Sequence, residues 1–186
     1  MSTSLESEAR PQAGSKRATG VVVSICSIIA VAFSVFEIWA NSFSFLPTLK
    51  LNTIHLAFLM FLCFLMYPAR RGAARDKVPA IDWIFAILGA GCALYFCLSF
   101  DALYNRGMIP LPRDYVVAVV GLLLVLEAGR RSTGPMLPVL AIIFLLYARY
   151  GQYVPGVFAH GGFPWSRVVS RMFMTDAGVF GTTLTI

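Results

Sequence analysis

Few residues in this chain are of a type and spacing that could do chemistry. The stretch "LEAGRRSTGPMLP", Leu126 to Pro138, places Glu127, Arg130 and Arg131 between two of the most apolar runs, "VVAVVGLLLV" and "VLAIIFLLY". On a helix, spacings of three and four residues let Glu127 pair with both arginines. As a catalytic acid, Glu127 would need a cleft and a substrate pose, and the sequence supplies neither. As an ion pair it neutralises a helix end ahead of the Gly134-Pro135 stop. Three further carboxylates lie close to apolar runs. Glu37 falls about one turn from the end of the first run, where it either reaches water or contacts a polar group on a neighbouring helix. Asp82 and Asp114 each open a run, where a carboxylate faces the positive end of the helix dipole and acts as a cap; Arg113 stands beside Asp114. These six residues are candidates for assembly and topology, because ionisable groups near membrane depth are expensive.

No catalytic set accompanies them. His55 and His160 are too isolated to form a ligand cluster, and no H-E-x-x-H, P-loop or G-x-S-x-G is present. "HGGF" at His160 has the look of an oxyanion loop, but without a nucleophile elbow it reads as a Gly-rich turn. Cys26, Cys63, Cys92 and Cys97 all lie inside apolar runs with no metal-site spacing, where cysteine packs as a small hydrophobe. No catalytic, cofactor-binding, metal or substrate-binding residue is assigned, and no enzyme is expected.

The elements that carry these residues follow from composition. The chain is 58% hydrophobic and 13% charged, with a mean hydropathy of +0.76, whereas a soluble domain is about 25% charged. Long apolar runs in 186 residues cannot all be hidden in a soluble core. The reading is an all-α polytopic membrane protein. The net charge of +6 does not indicate nucleic-acid binding, because the basic residues are scattered through short gaps and form no basic domain.

Five runs are measured against the roughly 20 residues that span hydrocarbon. Gly20 to Ala40 and Ile81 to Phe100 span well, with Trp83 as an interfacial anchor. Thr53 to Tyr67 is short and ends at Pro68, with His55 near its start. Tyr115 to Gly129 and Met136 to Tyr150 are also short, and span only if flanking polar groups snorkel or the bilayer thins. Folded as a re-entrant hairpin, this last pair would bury Arg130 and Arg131 in hydrocarbon at about 2.5–3.5 kcal/mol each. Two crossings with both arginines at the surface are cheaper. With the N-terminus inside, nine Lys and Arg residues fall in inner segments and three in outer loops, with Arg149, Arg167 and Arg171 trailing the fifth helix. The positive-inside rule therefore makes the N-terminus cytoplasmic.

Three regions result: a polar tail over 1–19, expected to be disordered; a four-helix membrane region over 20–134; and 135–186, with the fifth helix, a Gly/Pro-rich outer loop and an amphipathic segment. That segment, Ser166 to Met174, is expected to lie in the membrane interface. The closing apolar run "AGVFGTTLTI" reads as though cut short.

In order and spacing, four blocks resemble the N-terminal region of fused permeases of the tripartite ATP-independent periplasmic (TRAP) transporters, nearest to the TAXI branch. They are "HLAFLMFLCFLMYP", "IDWIFAILG", "RDYVVAVVGLLLVLEAGRRSTGPMLPVLAIIFLLYARYGQYVPG" and "HGGFPWSRVVSRMFMTDAGVFGTTL". The resemblance covers about residues 20–186. It implies a small four-helix region bracing a large transport region in a bacterial cytoplasmic (inner) membrane. The implied partners are that large permease region, a periplasmic substrate-binding protein and the lipid bilayer. Import of organic acids would be driven by an ion gradient, with sodium coupling located in the large region. The family's transport sites lie in that region, so no transport residue carries over to this chain. The fifth helix is either the connector or the first helix of the large region, and the chain is either a truncated or split permease or a stand-alone small subunit. The rival readings are a small subunit of a tricarboxylate-type tripartite importer and a membrane protein of purely structural function.

Overall fold

Proline and glycine set the helix boundaries more sharply than hydropathy does. The computed structural model describes residues 20–43, 45–69, 78–175 and 178–181. The polar tail, the inner-loop residues Arg70, Arg71, Arg75 and Lys77, and most of the closing run lie outside these. Helix α1 covers Gly20–Phe43, α2 Thr48–Met66, α3 Ala80–Asn105, α4 Pro112–Ser132, α5 Met136–Tyr150 and α6 Trp165–Met174. Two 3-10 turns, Gly151–Tyr153 and Gly156–Phe158, lie between α5 and α6. No strand occurs among the described residues.

Helices α2, α3 and α4 run well past their apolar cores. Pro47 is the N-cap of α2, so the helix starts at Thr48 rather than Thr53 and takes in Lys50, Asn52 and Thr53. Each of these polar residues has a partner: Lys50 Nζ donates to Asp101 at 2.8 Å, Asn52 Nδ2 to the Phe180 carbonyl at 2.7 Å, and Thr53 Oγ1 to the Lys50 carbonyl at 2.7 Å. Helix α3 continues past Phe100 to a Schellman ending. There Gly107 N–H donates to Tyr104 O and Met108 N–H to Leu103 O, both at 2.9 Å. Gly107 supplies the positive φ of 64° that this ending requires. Helix α4 absorbs its charged ends and reaches 21 residues, a rise of about 31 Å. That matches the hydrocarbon thickness of about 30 Å.

Four helices, α1, α2, α3 and α5 extended to Tyr153, are long and apolar enough to cross a membrane. Helix α4, which carries charges at both ends, is not among them; short turns at 106–111 and 133–135 join it to α3 and α5. The protein is an all-α polytopic membrane protein. At the centre, α2, α3 and α4 pack together through Leu56, Met60 and Phe64, through Ala86, Ala93 and Phe96, and through Ala118, Leu124 and Ala128. Small residues permit the close approach. A Cβ on Gly89 of α3 would stand 2.9 Å from Met60 Cε and 3.3 Å from Phe64. Helix α1 packs on α2, and α5 on α4.

The amphipathic segment is a helix, but its apolar face is turned to protein rather than to lipid. Val168, Val169, Phe173 and Met174 are buried, and α6 packs mainly on α4. Gly121 leaves the space that the Phe173 ring fills. The chain then bends back, and Phe180 packs against Phe96 and Phe173. The hydrophobic face had two possible acceptors, bilayer and bundle, and the groove opened at Gly121 favours the bundle.

Candidate functional site

The predicted residues fall into three sites, named inner and outer in the orientation that loop charge predicts. At the inner end, Arg131 in the last turn of α4 is the hub. Its Nε donates to Glu127 Oε1 at 2.8 Å, one turn earlier on the same helix. Its Nη1 donates to Asp82 Oδ1 on α3 at 2.7 Å, and to the Tyr67 carbonyl at the end of α2 at 3.3 Å. The guanidinium lies over the rings of Phe64 and Phe85, at 4.8 and 5.1 Å from their centroids. A planar, weakly hydrated cation suits this position between two aromatic faces. Arg130 makes a two-pronged pair with Glu127, both contacts at 2.7 Å, and stays exposed.

Two expectations are corrected here. Arg131 was placed at the surface beside Arg130, yet its side chain and that of Asp82 are each only 1% exposed. Asp82, expected as a cap, does lie in the first turn of α3, but its carboxylate is turned to Arg131 rather than to the backbone N–H groups. Within a nonpolar helix bundle, a direct ionic partner outweighs the diffuse field of a helix terminus. Among the described residues, Asp82 Oδ2 and Arg131 Nη2 are buried without a hydrogen-bond partner. The pair is thus joined by one direct hydrogen bond, not by the two of a fork geometry.

At the outer end Asp114 takes the capping place predicted for it. Its Oδ2 accepts from the Leu111 backbone N–H at 2.9 Å and from Arg106 Nη2 at 3.0 Å, while Tyr95 O–H donates to Oδ1. Arg113, the neighbour in sequence, stands at 3.7 Å with its side chain 71% exposed. Arg106 is therefore the closer cation, brought in by the Schellman turn.

Glu37 on α1 meets the histidine-bearing helix α2. Its Oε1 is 2.8 Å from His55 Nδ1 on α2, and Asn41 Nδ2 donates to its Oε2 at 3.4 Å. Phe33 packs edge-on against the imidazole. The contact to a partner helix, rather than the reach to water, is the arrangement found. His55 was the residue that sequence reasoning set aside. Its signal lay in being a lone imidazole at the same membrane depth as a lone carboxylate on the adjacent antiparallel helix.

His160 has a defined role in the loop. Gly162 N–H donates to its Nδ1 at 3.1 Å, so Nε2 carries the proton and donates to the Tyr147 carbonyl at 3.1 Å. Both ring nitrogens are engaged, and the side chain satisfies a carbonyl left open at the end of α5. Among the described residues, no three His, Cys, Asp or Glu side chains gather to hold a metal ion. A groove of about 470 Å³ between α3 and α4 is lined by Ile84, Ile87, Leu88, Gly91, Cys92, Tyr95 and Val117. Its walls suit a hydrocarbon chain or an apolar helix. Chemically, the three sites can hold helices together. No family model, curated protein or solved structure matches this chain.

Proposed function

We propose that this chain is the membrane scaffold of a TRAP-type importer of organic acids. In this reading it braces a large permease region in the bacterial cytoplasmic membrane and works with a periplasmic substrate-binding protein. Uptake is driven by an ion gradient whose coupling ion is bound in the large region. The observation that carries the reading is the Asp82–Arg131–Glu127 cluster. It ties the ends of α2, α3 and α4 with buried charges, and two of its members lie in the "LEAGRR" block on which the family resemblance most depends. Charges held in helix-to-helix ties give a rigid frame, the property a brace needs.

The test is purification of the tagged chain from native membranes in mild detergent. A larger polytopic subunit should co-purify, and disrupting the gene should abolish gradient-driven organic-acid uptake. A chain that always purifies alone, from cells whose uptake is unaffected by its loss, is not the brace of such an importer.

A further inference from the structure

We infer that the loop between α5 and α6 inserts into the outer-leaflet interface of the bilayer, where Val157 and Phe158 reach the boundary between headgroups and acyl chains. The inference rests on helix length, loop connectivity and side-chain exposure, and is independent of the importer reading.

Helix α5 has 15 residues, a rise of about 22 Å. The 3-10 turn Gly151–Tyr153 adds about 6 Å, against a hydrocarbon thickness of about 30 Å. The inner end is fixed by the turn at 133–135, which follows directly on the exposed Arg130. Tyr153 therefore stands at the outer boundary. From there the chain does not leave the membrane but folds back along the last turn of α5. Tyr147 O–H donates to the Phe158 carbonyl at 2.6 Å, His160 Nε2 to the Tyr147 carbonyl at 3.1 Å, and Phe163 N–H to the Ala148 carbonyl at 3.0 Å. The loop is thus folded back against the outer end of α5 rather than running free of it.

Irregular backbone at that boundary is tolerated only if its polar groups are satisfied. Here Val154, Ala159, His160, Gly162 and Phe163 donate their N–H within the loop or to α5, so the part of the loop nearest α5 is satisfied and the tip at 156–158 must lie where headgroup water reaches its backbone. The outward side chains are apolar and unusually bare: Val157 is 94% exposed, Tyr153 75% and Phe158 69%. From Tyr150 to Ser166 there is no Asp, Glu, Lys or Arg. Arginines flank the stretch on both sides, with Arg149 over the Tyr150 ring and Arg167 over the Phe163 ring. This order, aromatic and aliphatic tips between two cations held on aromatic rings, suits an interfacial lipid contact. A water-facing protein-docking loop would leave those tips in solvent whenever the partner is absent.

The test places an environment-sensitive fluorophore on Val157→Cys in a background with Cys26, Cys63, Cys92 and Cys97 changed to Ala. The full chain is reconstituted in phosphatidylcholine/phosphatidylglycerol vesicles. Lipids carrying a nitroxide high on the acyl chain should quench it several-fold more than aqueous iodide does. Dominant quenching by iodide would put the loop in water, as a site open to a soluble protein, and would overturn the inference. As a second measurement, the Val157→Asp/Phe158→Asp double variant, with its native cysteines, should insert in lower yield than the parent. Unchanged insertion together with iodide-accessible labelling would count against it equally.

Discussion

The inner and outer ends of the central bundle solve the same problem, a carboxylate on one helix facing an arginine near another, with different amounts of water. At the inner end the Asp82 and Arg131 side chains are both sealed, held between Phe64 and Phe85. At the outer end Asp114 is buried, but the Arg106 side chain is 29% exposed, and the carboxylate also accepts a backbone N–H and a phenol. Among the described residues, Asp82 in the sealed pair has Arg131 as its one ionic partner, and Arg131 without Asp82 keeps only Glu127 and the Tyr67 carbonyl, with no water to replace what is lost. In the half-wet pair, water and extra donors replace part of what is lost. The two ends should therefore differ in how they fail.

The largest effect is expected at the inner end. Asp82→Ala leaves Arg131 buried without its carboxylate on α3, and should destabilise the protein by about 3–5 kcal/mol, measured by unfolding in detergent. The double change Asp82→Leu/Arg131→Met should recover much of that, since an apolar pair of similar size is often neutral in such a place. No recovery would mean that the cluster contributes more than mutual neutralisation. Next comes Gly121→Val, which drives a side chain into the Phe173 ring. Overpacking of this kind costs about 1–3 kcal/mol, and should appear as protease cleavage near α6 while α2 and α3 stay protected.

Asp114→Asn should cost about 1.5–3 kcal/mol, the range for hydrogen bonds to charged groups. A loss as large as that of Asp82→Ala would erase the contrast between the two ends. Glu37→Gln should cost about 1 kcal/mol and reduce cross-linking between α1 and α2, because the His55 contact loses its charge. Smallest is Lys50→Ala, whose partner Asp101 is 73% exposed; the change should stay below about 1 kcal/mol.

Which parts of this were legible in the sequence follows from range. The pairing of Glu127 with Arg130 and Arg131 was readable because three- and four-residue spacings on a helix fix neighbours without reference to the rest of the chain. The capping place of Asp114 was readable for the same reason. The Asp82 partner was not, since 49 residues separate it from Arg131 and helix packing alone brings them together. Glu37 and His55 were each visible as a lone polar residue in an apolar run, but their meeting depends on the rotation of α1 against α2. For α6 the amphipathic pattern was plain and its direction was not, because a hydrophobic face has no preference between lipid and protein until a fitting groove exists.

By itself, the sequence determined that this is an all-α membrane protein and roughly where its long apolar helices fall. Composition and run length act locally along the chain, so they can be read one segment at a time. Only the tertiary structure decided that Arg131 is buried rather than at the surface, that Asp82 clamps rather than caps, and that α6 covers the bundle. Those outcomes are set by which helix faces meet, and the desolvation of a charge depends on every neighbour at once.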